Sequence, residues 1–190
     1  MEPALPVIAF LILFFTGKPL FSWYVNHSPA FFQVLIGAAA AVPFAFVFIF
    51  IGLKIPFFKD LREIMEKLFK SARLNTFDIA VTSVMAGVFE EILFRGVLQP
   101  ILGLWLTSFI FILIHGYFNP KSLNMTVTGI LAFGLSCVIG VFFERFGIIS
   151  AITLHTVYDF LALYLMMRYF QGNEKEDKRQ KTGVIIKSCV

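Results

Sequence analysis

The sequence predicts an all-α, polytopic membrane protein: a bundle of about six transmembrane helices with one interfacial amphipathic helix. Composition is the first reason, because the 190-residue chain is 58% hydrophobic and only 15% charged, and it contains 25 phenylalanines. A soluble domain of this size has too little interior to bury so much apolar surface. The pattern is the second reason, because long apolar runs alternate with polar segments, and lipid can solvate the outer faces of such helices.

Two apolar runs open the chain, at residues 3–25 and 30–53. The first has no basic segment before it and no small-x-small cleavage site after it, so we expect a retained span and not a signal peptide. The second contains an alanine run at 38–41, which would allow close approach of another helix. Neither run has a charge at its centre, and both therefore fit a scaffold that faces lipid.

The next segment, residues 54–76, has a different pattern. Apolar residues recur at helical spacing and six Lys/Arg residues fill the other face, which predicts an amphipathic helix. The apolar positions are Phe57, Phe58, Leu61, Ile64, Met65, Leu68 and Phe69. This helix either lies in the lipid headgroup layer, which we favour, or connects two spans with its apolar stripe packed on the bundle. It is too short and too mixed in charge to bind nucleic acid.

Four further apolar runs form a predicted core from residue 77 to residue 170. Asn75 or Thr76 caps the first run, with Asp78 in its first turn, and Pro100 ends or kinks it. The second run has about 15–17 residues, fewer than the ~20 that usually cross a bilayer. We therefore expect its last residue, His115, at a helix end buried within the bundle. The four runs are residues 77–99, 101–115, 123–143 and 148–170, with a turn at 144–147.

Residues 1–170 are thus predicted to form one membrane-embedded domain: two scaffold spans (1–53), the amphipathic helix (54–76) and the core (77–170). A polar tail follows at 171–190, and its mixed charge predicts disorder. Six Lys/Arg residues lie in 54–73 and six more in 168–190. The positive-inside rule therefore places both termini of this multi-pass protein in the cytoplasm.

Three charged groups interrupt the first core run: Glu90, Glu91 and Arg95. A charge at bilayer depth costs roughly 2.5–3.5 kcal/mol on insertion scales, so each of them needs a reason. Glu91 and Arg95 are four residues apart and can pair on one helix face. Glu90 lies about 100° around the helix from Glu91. This carboxylate is therefore left without a local partner.

Other ionisable groups lie in the remaining core runs. His115 ends the second run, and His155 and Asp159 share one face of the last run, four residues apart. The third histidine, His27, falls in a turn and is predicted to be at the surface. Ionisable residues within spans usually face the bundle interior and pair with one another, which predicts one shared polar site.

This residue set suits activation of water. A buried Glu and a His that share a water molecule can remove its proton, and a second His and an Asp can stabilise or orient the reacting groups. We find no nucleophilic side chain with an adjacent base. Glu90, His115 and His155 could also hold a zinc ion. Because the HExxH signature is absent, the residues alone leave a metal-free site and a zinc site open.

Three motifs occur in order on separate apolar runs. They are E-E-x-x-x-R (Glu90, Glu91, Arg95), F-x-x-x-H (Phe111, His115) and H-x-x-x-N/D (His155, Asp159). Together they resemble the CPBP intramembrane proteases, a family that includes the type II CAAX prenyl endopeptidases and the bacterial Abi, bacteriocin-immunity-associated proteins. The resemblance covers residues 77–170, about half of the chain.

The resemblance implies an intramembrane endopeptidase that cuts a membrane-associated or hydrophobic protein or peptide. Glu90 would activate water with help from His115, and His155 and Asp159 would form the oxyanion side. Glu91 and Arg95 would orient the site, and a divalent metal is possible but not required. Asp159 stands where prenyl-processing members favour Asn, and only two spans precede the core. Both features look more like the bacterial branch, which implies a bacterial cell membrane.

Two other functions are consistent with the buried groups. A proton-coupled carrier would use Glu90 and the histidines as a relay. A catalytically silent membrane protein, for example one that confers immunity by binding a partner, would need the shape of the bundle but not its chemistry. The short second core run and the lack of an internal repeat favour the peptidase over the carrier.

Overall fold

The computed structural model describes residues 28–72, 74–116 and 122–188, and these residues contain helices and no strand. Helix α1 is Ala30–Lys54, and a short 3₁₀ turn, Pro56–Phe58, leads into α2, Lys59–Ala72. Helix α3, Thr76–Leu93, continues through a π-helical turn, Phe94–Leu98, into α4, Gln99–Ile114. Helix α5 is Leu123–Phe146, and α6 is Ile148–Ser188. The predicted all-α class is thus confirmed for the described residues.

Four helical segments are long and apolar enough to cross a membrane: Ala30–Lys54, Thr76–Ile114, Leu123–Phe146 and Ile148–Asn173. Most of the residues in these segments are not buried inside the molecule, which is the pattern of helices that lipid surrounds. The protein is therefore a multi-pass membrane protein. The predicted number of about six spans is not confirmed, and the first predicted span, at 3–25, lies outside the described residues, as does His27.

Helix α6 is the central element and packs against α1, α3 and α5. Small residues on one face of α1 let α6 approach closely: Ala41 and Ala45 are fully buried, and a side chain at Gly37 would meet the Ser150 carbonyl at 2.6 Å. This agrees with the close approach predicted for the alanine run. Gln33 strengthens the contact, since its side-chain oxygen accepts from the backbone N–H of Ile149 at the start of α6.

The segment Thr76–Ile114 is a hairpin and not one straight rod. Gly103 has φ 79° and ψ 168°, which breaks the helix. The ring centroids of Phe94 and Phe111 are only 4.9 Å apart, whereas a straight helix would separate these residues by about 25 Å. The chain therefore reverses at Gly103. The returning arm, 104–114, is about 16 Å long and too short to cross a bilayer.

The sequence predicted that Pro100 either ends or kinks the helix. It does not end it. The π-helical turn Phe94–Leu98 precedes this proline, and Gln99 and Pro100 begin α4 without a break. A proline inside a helix lacks a donor and crowds the carbonyl four residues earlier. The π turn is wider than an α turn and so accommodates the missing donor and the crowding at Pro100. The chain reverses three residues later, at Gly103, because a glycine can adopt a positive φ.

The amphipathic segment combines features of both predicted alternatives. Phe58, Leu61 and Phe69 are buried against the bundle, whereas Ile64 and Leu68 remain exposed. Two polar contacts hold α2 in place, since Arg62 donates to the Leu53 carbonyl (2.7 Å) and Asp60 accepts from Ser122 (2.9 Å). The location of this helix in the headgroup layer stays a prediction.

The observed ends of α3, α5 and α6 test three further sequence predictions. Asn75, one of the two predicted caps, caps α3, and it also forms a reciprocal capping box with Asp78 that the sequence analysis did not predict. The turn expected at 144–147 is confined to Gly147 (φ 118°), because α5 continues to Phe146. The disorder predicted for the tail is wrong up to Ser188, where α6 ends.

Candidate active site

Glu91 lies at the centre of the site and is fully buried. Its Oε2 accepts a hydrogen bond from Arg95 Nε at 2.9 Å, as the spacing of four residues predicted. Its Oε1 lies 2.7 Å from His155 Nδ1 on α6. The second contact was not predicted, because it joins residues of two separate helices. Glu91 therefore bridges a permanent cation and the histidine of the last motif.

Glu90 lies beside this bridge and faces a cavity, and 13% of its side chain is exposed. One of its oxygens, Oε2, is 3.6 Å from His115 Nε2 and 3.9 Å from His155 Nε2. Separations of this length exceed a direct hydrogen bond but lie within the range of an ion pair, and a water molecule in the cavity can contact these atoms from one side. The sequence prediction that Glu90, His115 and His155 meet is therefore correct in geometry.

His115 is the residue at which α4 ends. Its Nδ1 is 2.7 Å from the Phe111 carbonyl, and its ring stacks on Phe111 at a centroid distance of 4.1 Å. These contacts explain the F-x-x-x-H spacing, since the residue one turn earlier supplies both a hydrogen-bond acceptor and a flat surface. Nδ1 donates to the carbonyl, so Nε2 is directed at Glu90.

The predicted burial of His115 is wrong in degree. The residue lies at a helix end, but its side chain is 31% exposed, since α4 returns only part of the way along the bundle. Burial alone would lower the pKa of the His115 imidazole, but Glu90 and the Phe111 carbonyl favour its protonated form. Together they raise this pKa above its ordinary value.

His155 faces a carboxylate with each ring nitrogen. Nδ1 contacts Glu91, and Nε2 lies 3.3 Å from Asp159 Oδ2, one turn further along α6. A neutral imidazole has only one N–H, so the ring can donate to both carboxylates only when both of its nitrogens are protonated. The side chain of Asp159 is 26% exposed, and it contacts His155 as the spacing predicted.

The cavity in front of these groups has a volume of about 240 Å³, and all six helices contribute to its lining. Glu90, His115, His155 and Asp159 form its polar end. Most of the remaining lining is apolar and includes Phe48 from α1 and Leu61 and Met65 from α2. The amphipathic helix therefore forms part of the site, which the sequence did not indicate.

Sequence reasoning missed several polar residues behind Arg95. Its guanidinium, which is fully buried, also donates to Gln99 (3.2 Å), Ser108 (3.3 Å) and Ser136 (2.7 Å). Gln99 could have been found, because it is four residues from Arg95 on the same apolar segment. The two serines come from other helix segments and have no local signal.

The sequence left a metal ion open and named Glu90, His115 and His155 as its ligands if one binds. The three side chains are of the types that bind zinc. However, in residues 28–72, 74–116 and 122–173, for which side chains are described, no group of three or more His, Cys, Asp or Glu residues has an arrangement that could hold a metal ion. The described side chains therefore give no support for a metal site, and the choice between a zinc site and a metal-free site stays open.

Residues 72–161 match the family described as type II CAAX prenyl endopeptidase Rce1-like. This segment includes all six predicted site residues and agrees with the resemblance to the CPBP intramembrane proteases, which it confirms. The match therefore relates this segment of the chain to a family of proteases. No curated protein and no solved structure matches the chain.

Proposed function

Because residues 72–161 match the Rce1-like protease family, we propose that this protein is an intramembrane endopeptidase. Its reaction is hydrolysis of a peptide bond by water that Glu90 activates. The observation that carries the proposal is the approach of two histidine Nε2 atoms to one Glu90 oxygen, at 3.6 and 3.9 Å, on the wall of a cavity.

Glu90 is the candidate base because it is the carboxylate of the pair that Arg95 does not engage. Arg95 and His155 both contact Glu91, so that residue has an orienting role. A water molecule bound between Glu90 and His115 would lose a proton to the Glu90 carboxylate as its oxygen attacks the substrate carbonyl. His115 helps to hold this water through its Nε2.

His155 is the candidate oxyanion stabiliser. Its Nε2 lies beside Asp159 at the cavity, and the N–H that Asp159 accepts in the free protein can be shared with the oxygen that becomes negative after attack. Asp159 then has an orienting role, because an ionised carboxylate accepts hydrogen bonds and cannot donate one to an oxyanion. The carbon–nitrogen bond breaks in the second step, and Glu90 returns its proton to the departing amine.

The substrate class follows from the cavity. Phe48, Leu61 and Met65 give it an apolar wall next to the ionisable groups, which suits the apolar side chains of a membrane-associated polypeptide. The name of the matching family suggests prenylated CAAX peptides as the first probe. The site lies within a multi-pass protein, so the substrate and the enzyme would share the membrane.

The test is cleavage of an internally quenched peptide in liposomes, with and without a farnesyl group on its cysteine. We expect Glu90→Gln and His115→Ala to lower kcat/KM by roughly 10²-fold or more. Glu63→Gln is the matched control, because it makes the same change at an exposed position of α2 that does not line the cavity, and it should retain activity. Full cleavage by both site variants would refute the mechanism.

A carrier or a silent binding protein would give other results. Flux that a pH gradient drives, without any cleavage product, would replace the peptidase with the carrier. Zinc dependence is tested separately by chelation and by adding zinc back to the liposomes. Recovery of activity by zinc alone would show that the metal-free mechanism is incomplete.

A further inference from the structure

Arg95 is the most completely buried cation among the described side chains. Besides Glu91, three other side chains accept hydrogen bonds from its guanidinium. Arg95 donates a single hydrogen bond to Glu91, through Nε. One such bond leaves the plane of the guanidinium free to tilt. The orientation of this plane therefore depends on the acceptors of Nη1 and Nη2, which are Gln99, Ser108 and Ser136.

Gln99 is the best defined of these acceptors. It is 3% exposed, its Oε1 accepts from Arg95, and its Nε2 donates to the Gly140 carbonyl (3.1 Å) and to Glu144 Oε1 (2.8 Å). Both ends of the amide are therefore engaged, and a flipped amide would turn donors toward the guanidinium. Glu144 is exposed near the end of α5, so the network reaches from the surface to Arg95.

Gly140 makes this arrangement possible. A Cβ atom at position 140 would lie 2.6 Å from Gln99 Oε1 and 3.3 Å from Arg95 Nη1. Only a residue without a side chain lets α5 approach both groups so closely. The space around Gln99 and Arg95 is thus shaped by three separate helix segments, although neither Gln99 nor Glu144 lines the cavity.

We propose that Gln99, held by Glu144, is a positioning residue that orients Arg95 against Glu91 and so holds the His155 ring beside Glu90. The chain of contacts is Glu144 to Gln99, Gln99 to Arg95, Arg95 to Glu91, and Glu91 to His155, with no heavy-atom distance above 3.2 Å. This inference rests on the proposed peptidase function only for its effect on rate, because the effect on the His155 ring is independent of any substrate.

The first readout is the His155 ring itself. The protein has three histidines, so ¹H–¹⁵N spectra of the ring nitrogens in detergent can be assigned with single His→Gln variants. We expect Gln99→Met to move or broaden the His155 Nδ1–H signal and to leave the His115 signal in place. Ser83→Ala is the control, because this buried hydroxyl of α3 has no hydrogen-bond partner among the described residues. It should change neither signal.

Glu144 provides a second pair of variants if Gln99→Met does not fold. Glu144→Leu removes the acceptor of Gln99 at an exposed position, whereas Glu144→Gln keeps an oxygen there. We expect the first to change the His155 signal in the same direction as Gln99→Met, and the second to restore the wild-type signal. An unchanged His155 signal in both Gln99→Met and Glu144→Leu would overturn the proposal.

The second readout is peptide cleavage. We expect Gln99→Met to lower kcat by roughly 10- to 100-fold, the range for partners that orient a functional ligand, with little change in KM. Ser83→Ala should retain kcat. If no variant and no wild-type protein cleaves any peptide, the proposed function fails, but the spectra still decide whether Gln99 positions His155. Equal kcat for Gln99→Met and Ser83→Ala would overturn the positioning role.

Discussion

The Glu91 carboxylate and the His155 imidazole lie 2.7 Å apart, although 64 residues separate them in the chain. This contact joins the first and last motifs of the site. It also divides the adjacent glutamates into two roles, because Glu91 is fully buried between Arg95 and His155 whereas Glu90 faces the cavity.

The first prediction contrasts the two glutamates. Glu91→Gln should lower the free energy of unfolding by about 3–5 kcal/mol, because it leaves the buried Arg95 charge without its counter-ion. Glu90→Gln should leave the thermal midpoint within a few degrees of wild type while activity is lost. Tryptophan fluorescence during heating in detergent measures both. A Glu90→Gln variant less stable than Glu91→Gln would contradict this division of roles.

The second prediction concerns Asp159, whose Oδ2 is 3.3 Å from His155 Nε2. Asp159→Asn keeps an oxygen that can accept from His155, so we expect it to retain at least about a tenth of the wild-type kcat. Asp159→Leu removes the acceptor and should lower kcat by roughly 10²-fold, at the lower end of acid–base effects. Initial rates of peptide cleavage distinguish the two. Equal rates would show that Asp159 does not act through a hydrogen bond.

The third prediction is a pH dependence of stability that originates in His115. The pKa of this group in the folded protein is raised above the ordinary 6.5, so its stabilising contact with Glu90 is fully present below about 6.5 and is lost as the pH rises through the raised pKa. His115→Gln should therefore lower the thermal midpoint more at pH 5.5 than at pH 9. A larger loss at pH 9 would have the wrong sign.

The fourth prediction concerns the approach of α3 to α6. A Cβ atom at Gly87 would lie 3.0 Å from the backbone nitrogen of Thr156. Gly87→Ala should therefore separate the helices that carry Glu91 and His155, lower the stability by roughly 1–3 kcal/mol and reduce activity.

Gly134→Ala is the matched control for that change. No heavy atom lies within 4 Å of a Cβ at this position of α5, so the substitution should be neutral or slightly stabilising, as alanine is in a helix interior. Equal losses in the two variants, measured by thermal unfolding and by cleavage rate, would refute the role of the close contact.

The sequence predicted contacts between residues of one helix correctly. The contacts of Glu91 with Arg95 and of His155 with Asp159 both follow from the period of a single helix. Errors arose where local signals compete. Pro100 predicted an end or kink of the helix, but the chain reverses at Gly103, where a positive φ makes the reversal possible. The polar composition of the tail predicted disorder, and α6 nevertheless continues to Ser188.

By itself, the sequence determined that this is a helical membrane protein, which apolar segment carries each ionisable group, and which groups share a helix face. Its motifs also pointed to the protease family that residues 72–161 match. Only the tertiary structure decided that His155 contacts Glu91, that Ser108 accepts a hydrogen bond from Arg95, and that α2 lines the cavity. The reason is physical: helix periodicity is a local property, whereas the rotation and distance between helices depend on the packing of side chains from distant parts of the chain.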